Sequence, residues 1–466
     1  MSKRLLLSCI LPLLLASCSI PDPLVERIKE SGELRVVTRS NPTTYYEDKA
    51  GIRGLEYELV TLFARKLGVT PRFIFTESHD QILPIVARGD AHFAAAGLTA
   101  TRGRENNVRF TRSYQSITQQ LVYREGTKKP KKITDTLKGT LEVMAGSSHA
   151  ERLQELKHKF PELEWTAKKE VDSEELVSLV LEQIIDYTVS DSNEVALSHR
   201  FHPELKVAFD ISEPQPLAWA FQHAEDDSLF DAAQSFLQNL EQTGELKQII
   251  DRYYGYVDNL GALDTRTFRR HIAQRLPKYI AHFKKAALET GLDWRLLAAI
   301  GYQESHWNPK AVSPTGVKGI MMLTKAAAKE LGVESRTNPK QSIFGGARYI
   351  LLVRKKIPDR IQNPDRLWMA LAGYNVGFGH LEDARILTER HGDNPDRWVD
   401  VKKYLPLLSK KKYYKTVKRG KARGREPVIY VDNVRSYYDL LVWENNRQET
   451  PVAAGNSVLS KLPSAM

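Results

Sequence analysis

The sequence predicts an α/β first half followed by a mainly α second half, and three observations carry that prediction. From Gly32 to about residue 256, short apolar runs alternate with helical patterns, as expected for a mainly parallel sheet with helices on its faces. Beyond about residue 265 the strand pattern disappears and helical periodicity continues to about residue 445. A chain of 466 residues is also too long for one ordinary core, so at least two substantial domains are expected.

The first residues read as an address. Lys3-Arg4, the apolar run Leu5 to Leu15, and Leu15-Ala-Ser-Cys18 supply the charged, apolar and small-residue parts of an export signal, and the run is too short to span a bilayer. Leu-Ala-Ser-Cys also resembles a bacterial lipobox. That resemblance implies removal of residues 1–17, lipidation of Cys18, and a Pro-broken tether over 18–29. Ser19, where Asp would retain a lipoprotein at the inner membrane, implies the outer membrane of a Gram-negative cell, with the protein facing the periplasm. The only other cysteine, Cys9, lies in the removed segment, so the mature chain has no pair to oxidise and must rely on its cores.

Along the first domain, taken as 30–256, Leu24 to Ser31 reads as a short helix and Leu34 to Thr38 as a strand. Gly54 to Leu67 is a helix stopped by Gly68, Arg72 to Thr76 a strand, Asp80 to Arg88 helical, and Ala91 to Leu98 a buried strand. Gly97-Leu-Thr-Ala-Thr-Arg-Gly-Arg104, Val108 to Tyr114, Gly146-Ser-Ser148, Asp186 to Asp191, Leu217-Ala-Trp-Ala220 and Gly244-Glu-Leu246 together resemble the periplasmic amino-acid-binding proteins of ABC transporters. This resemblance implies two lobes joined by crossovers near 119–126 and 213–220, with a ligand closing the cleft. A zwitterion needs a cation for its carboxylate and an anion for its ammonium. The resemblance assigns the first to Arg104 with Thr99 and Ser148, the second to Asp191, and a covering ring to Tyr45 or Tyr46. The expected ligand is a free amino acid or a wall peptide.

Residues 257–267 read as a polar linker, 268–445 as the helical domain, and 446–466 as a disordered tail rich in Ser, Pro, Ala and Asn. Helices are expected over Phe268 to Ala287, Leu292 to Ser305, Thr324 to Leu331, Ile343 to Lys355, Pro364 to Ala372, Phe378 to His391 and Tyr430 to Asn445. In the second of these Asp293 is a plausible N-cap, and Asn308-Pro309 forbids continuation. Leu297, Ile300 and Glu304 are spaced by three and four, placing a carboxyl on the apolar face. Desolvation there would raise its pKa and keep it protonated near neutrality, which suits a general acid.

Glu304 with its Glu-Ser-His context, Ser313-Pro-Thr-Gly316, Gly319-Ile-Met-Met-Leu-Thr324, Ala372-Gly-Tyr-Asn-Val-Gly377 and Tyr430 resemble, in that order, the soluble-type lytic transglycosylase domain of the goose-type lysozyme superfamily. The resemblance implies a peptidoglycan glycan strand as substrate, Glu304 as both acid and base, and a 1,6-anhydromuramic acid product formed without metal or cofactor. It also implies that Ser313, Met321, Tyr374, Asn375 and Tyr430 position sugar or acid. Met322 stands where the family usually has Gln, which puts one substrate hydrogen bond in doubt. Glu382 and Asp383 follow the Tyr-Asn motif, but one carboxylate suffices for this chemistry. The alternatives are a binding lipoprotein whose second domain only tethers it to glycan, and a lysozyme that hydrolyses with water.

The formal charge is +11, much of the excess lying between Lys402 and Arg425. Export excludes nucleic acid as the partner; a solvated, partly mobile basic loop or attraction to anionic wall or membrane remain. His306 beside the acid reads as a structural or sugar-facing residue, and the sequence shows no metal-ligand cluster, internal repeat or phosphate-binding loop.

Overall fold

The computed structural model describes residues 22–48, 51–256 and 265–449; Cys18 with the leader, most of the linker and the chain beyond 449 lie outside the described residues. The strands are β1 (Glu33–Thr38), β2 (Tyr46–Asp48), β3 (Gly51–Arg53), β4 (Thr70–Phe75), β5 (Phe93–Ala94), β6 (Val108–Phe110), β7 (Gln115–Ile117), β8 (Gln119–Arg124), β9 (Leu141–Met144), β10 (Thr166–Lys168), β11 (Tyr187–Asp191), β12 (Leu205–Asp210), β13 (Gln215–Leu217) and β14 (Ala220–Gln222). They form two five-stranded sheets, in the orders β4-β1-β5-β14-β6 and β10-β9-β11-β8-β12. Each sheet is mixed. β1 pairs in parallel with β4 and β5, and β9 with β10 and β11, whereas β14 runs antiparallel to β5 and β6, and β8 antiparallel to β11 and β12. Apolar residues bury both faces of each sheet, around Leu34, Phe63 and Trp219 or Val37 and Ala94 in the first, and Val143 and Leu153 or Val122 and Leu176 in the second.

The lobes are joined by the small antiparallel pair β7 and β13, Ile117 opposite Gln215 and Gln115 opposite Leu217. The first crossover therefore lies at 115–117, before the expected 119–126; that stretch is β8, a central strand of the second sheet. The strand expected over Ala91 to Leu98 is regular only at Phe93–Ala94, where both neighbours pair with it.

In the second half one cluster holds the core of the helical domain. The helix expected over 268–287 is divided into Thr265–Gln274, a 3-10 turn Leu276–Lys278 and Ile280–Thr290, because Pro277 cannot donate to an unbroken helix. The helix Pro339–Lys356 starts earlier than expected, capped by the Asn338 side chain on Gln341 N, with Pro in the first turn. Two domain limits also move. The helix from Thr265 begins inside the stretch read as linker, and Glu426–Glu449 passes the expected end at 445, with Trp443 and Asn446 buried.

The halves are joined through buried polar contacts. Arg200, at the end of the helix Ser192–Phe201 in the second lobe, donates to Asp439 Oδ2 at 2.9 Å, and Tyr256, which follows the first lobe, donates to the same oxygen at 2.5 Å. Arg435 lies between the rings of Tyr256 and Trp368, at 3.7 and 3.9 Å from their centroids, and donates to the carbonyls of Asp251 and Arg252. Phe201 packs against Trp443 and its carbonyl accepts from Arg269 at 2.6 Å. The helix Glu426–Glu449 thus touches both lobes.

Candidate active site

The helix Trp294–Ser305 carries Glu304. Asp293 caps it by accepting from Arg295 N at 2.8 Å, and also accepts from the Tyr438 hydroxyl at 3.0 Å, tying the helix start to Glu426–Glu449. Leu297 and Ile300 are fully buried, so the face they share with Glu304 is turned inward. The helix ends at Ser305, as expected, and three residues before Pro309 His306 and Trp307 already take left-handed conformations, with φ of 51° and 55°. Trp307 holds this turn by donating Nε1 to Ala298 O at 2.8 Å, and Arg275 donates to His306 O at 2.9 Å. The His306 ring stacks on Tyr302 at 4.7 Å and its residue is exposed, in keeping with a structural or sugar-facing reading.

The Gly319–Thr324 loop packs beneath the acid. Ser305 donates to Ile320 O at 2.9 Å, Met321 N donates to Ser342 Oγ at 3.2 Å, and Tyr374 donates to Met321 O at 2.7 Å. Gly319 has φ of 89°, and a Cβ there would lie 1.8 Å from Arg336 O, so this position admits only glycine. The Met321 side chain is fully buried in the core, and its backbone takes part in the site's hydrogen bonds. Met322, also with positive φ at 47°, stands in the place of the expected Gln.

Tyr430 completes the site. Its hydroxyl donates to Glu304 Oε1 at 2.7 Å, and its ring lies nearly parallel to Tyr374, centroids 6.4 Å apart. Burial pushes the Glu304 carboxyl up to about 7, and the Tyr430 hydrogen bond acts in the opposite direction. Both tyrosine hydroxyls are pushed well above their usual range, chiefly by burial and then by the Glu304 charge, so they stay as donors. Asn375 is exposed at the end of the helix Asp365–Val376. Ser313 binds Thr315 Oγ1 at 2.9 Å and belongs to the loop before Gly319. Neither later carboxylate partners Glu304. Glu382 pairs with Arg385 at 2.7 Å, and buried Asp383 accepts from Arg419 N at 2.8 Å. Among the described residues no group of three or more His, Cys, Asp or Glu side chains is arranged to hold a metal.

The residues expected to bind a ligand meet between the lobes, already engaged with one another. Ser148, in the first turn after the Ser147 cap, donates to Thr99 Oγ1 at 3.2 Å across the cleft. Arg104, buried on the first lobe, donates to Glu151 of the second at 2.7 Å and to Gly146 O at 3.0 Å, while Thr101 donates to the other Glu151 oxygen. Asp191 meets His149 Nε2 at 2.9 Å, and Arg39 pairs with Glu194 at 2.5 Å. Glu151 therefore occupies the place expected for a ligand carboxylate. Tyr45 packs with Tyr57, Phe73 and Phe75 in an aromatic cluster of the first lobe, and Tyr46 lies in β2 opposite Arg53. Glu151 and Arg39 were missed by sequence reading because each gains meaning only across the cleft, and His149 because its partner Asp191 lies 42 residues away on another element of the same lobe.

Tyr430→Phe removes the hydrogen bond that favours the Glu304 carboxylate, so the pKa of Glu304 rises. A carboxylate hydrogen bond of this kind is worth roughly one to two pH units. The alkaline limb of kcat/KM, set near 7 in the parent, should move up by about one unit; a limb that stays in place would separate Tyr430 from the acid.

Comparison with known proteins divides the chain in the same way. Residues 34–256 match the model described as "Bacterial extracellular solute-binding proteins, family 3", and residues 281–395 the "Transglycosylase SLT domain". A protein of Saccharophagus degradans named "Membrane-bound lytic murein transglycosylase F" is 48% identical over 93% of this chain and 87% of its own length. "Membrane-bound lytic murein transglycosylase F 1" of Alkalilimnicola ehrlichii is 47% identical over 92% and 88%, and a Pseudomonas fluorescens protein with the same name as the first is 46% identical over 95% and 92%.

Proposed function

Because this chain belongs to the membrane-bound lytic murein transglycosylase F family and is a lytic transglycosylase acting on peptidoglycan, we propose that Glu304 is the single acid and base of its reaction. The observation that carries this assignment is the partly buried Glu304 carboxyl, pushed up to about 7 and held by Tyr430, with no second carboxylate in contact among the described residues. Near neutrality such a group is divided between its two forms, as a residue that must first give and then take a proton requires. Protonated Glu304 gives its proton to the glycosidic oxygen leaving N-acetylmuramic acid, and the substrate's N-acetyl group stabilises the cationic carbon. The resulting carboxylate takes the proton of the sugar's own C6 hydroxyl, whose oxygen closes the 1,6-anhydro ring. An intramolecular hydroxyl has a large effective concentration and excludes water as nucleophile. Glycosidases that use water or a covalent intermediate ordinarily need a second carboxylate, and Glu382 and Asp383 are engaged elsewhere. Tyr374 and Tyr430 position the acid; Asn375 and Ser313 are assigned to the sugar.

The relatives' name, membrane-bound, supports a position at a membrane, and no helix among the described residues is long and apolar enough to cross one. We infer that Cys18 carries a lipid anchor in the outer membrane, the leader sequence being the support. Cys18→Ala should transfer the protein from the membrane to the soluble or unprocessed fraction, since multiple acyl chains anchor far more firmly than one. Membrane attachment unchanged by that substitution would contradict the anchor.

We also infer that a small ligand in the interlobe cleft modulates cleavage. Asp191 and Arg200 lie at opposite ends of one short helical segment, and Arg200 from one lobe meets Tyr256 from beside the other on Asp439. Asp439 and Tyr430 share the helix Glu426–Glu449. A ligand that changes the angle between the lobes must change those contacts, which is the differential interaction that coupling requires.

A further inference from the structure

The basic stretch is built into the helical domain. Between Lys410 and Arg425 there are nine basic residues and no acidic one. Tyr413, Val417 and Ala422 pack against the core, Arg419 N donates to buried Asp383, Ala422 N donates to Leu408 O at 3.1 Å, and Arg390 donates to Thr416 O at 2.9 Å. Gly424 lies so close to Leu405 O that a Cβ would fall 1.6 Å from it. The sequence expectation of a solvated loop is therefore replaced by a short helix, Lys411–Tyr414, and a fixed strap whose apolar groups face inward and whose nine cations are all exposed. Among the described residues only Arg423 has an anionic partner, Glu426, at 3.3 Å.

Both ends of this strap adjoin elements that carry residues of the Glu304 site. The Arg419 side chain lies against Gly379, where a Cβ would be 2.8 Å from its Nε, four residues beyond Asn375. At its other end Arg425 directly precedes the helix that carries Tyr430. The muramic acid whose bond is cut is also the sugar that bears the peptide stem, and that stem carries free carboxylates. Exposed cations act on such carboxylates across about one Debye length, roughly 8–10 Å at physiological salt.

We propose that the strap binds the carboxylates of the peptide stems on the strand being cut, so that the enzyme favours peptide-bearing glycan over naked glycan. The proposal rests on the Glu304 reading and adds a substrate preference to it. A fixed cationic surface both draws an anionic polymer in and holds it in register.

The test uses the full chain from residue 19, without its lipid, and a variant with Lys411, Lys412, Lys415, Lys418 and Lys421 each changed to Gln. Substrates are intact murein and murein freed of peptides by an amidase. The variant should lose roughly ten- to a hundredfold in kcat/KM on intact murein, the product of several exposed pairs that are each weak. It should match the parent on naked glycan. The corresponding five-site Lys→Arg variant should restore activity on intact murein. An equal loss on both substrates, or on neither, would overturn the proposal. So would loss of binding to anionic vesicles with murein cleavage unchanged, which would assign the strap to a membrane. Failure of the Glu304 reading is distinguishable, because Glu304→Gln would then still cleave both substrates.

Discussion

Glu304→Gln should end glycan cleavage and at the same time make the protein more stable above neutral pH. Gln fills the same space but transfers no proton, and general acid catalysis contributes on the order of 10²- to 10⁴-fold. The stability gain follows from linkage. Burial raises the folded pKa from 4.5 to about 7, so between those values the folded chain keeps a proton that the unfolded chain releases. The group's contribution is fully present below about 4.5 and is lost as pH rises through 7. At pH 8 the parent therefore bears a cost of up to about 3 kcal/mol that the Gln variant lacks. Denaturant unfolding at pH 5 and pH 8 reads this directly: the two proteins should converge at low pH and separate at high pH. A variant that cleaves murein at the parental rate would remove Glu304 as the acid, and one less stable than the parent at pH 8 would contradict its burial.

Arg435→Ala should be the most damaging single change at the junction of the two halves. The side chain is fully buried, stacked between Tyr256 and Trp368, and surrounded by Asp251, Asp432 and Asp439. Its removal takes away two aromatic contacts and the hydrogen bonds to two carbonyls, and leaves those acids with less compensation. Breaking a buried charge network from one side costs about 3–5 kcal/mol. Burial already pushes Asp439 up to about 6 against the opposing pull of Arg200 and Arg435, so the variant's Asp439 should take up a proton at still higher pH. Denaturant unfolding followed by fluorescence should show that loss of stability; a change under about 1 kcal/mol would mean that the junction relaxes around the missing cation. Calorimetry with amino acids and wall peptides, paired with cleavage assays, should show that a ligand able to modulate the parent still binds the variant but no longer alters its activity.

Much of this architecture is legible in the chain because it depends on local pattern. Alternating apolar runs mark the two sheets, and Asp293 followed by Leu297, Ile300 and Glu304 marks both the catalytic helix and its inward face. Tyr430 is legible only through its order among the motifs, since 126 residues separate it from the carboxyl it binds. Other features are set by distant partners. Met321 looks like a site residue in sequence, yet Gly301 and Gly346 leave a space that its side chain fills. The cleft residues Arg104 and Asp191 were identified by motif, while their partners Glu151 and His149 lie on a helix with no distinctive pattern. The basic stretch looks like a solvated loop because its anchors, Asp383, Leu408 and Leu405 O, are supplied by other turns of the domain.

The central claim, one partly buried carboxyl acting first as acid and then as base on the sugar's own hydroxyl, is tested most directly by mass spectrometry of the fragments that the purified protein releases from murein. Muropeptides ending in 1,6-anhydromuramic acid, each one water lighter than the hydrolysed form, are the predicted result. Reducing ends carrying the added water would contradict the account.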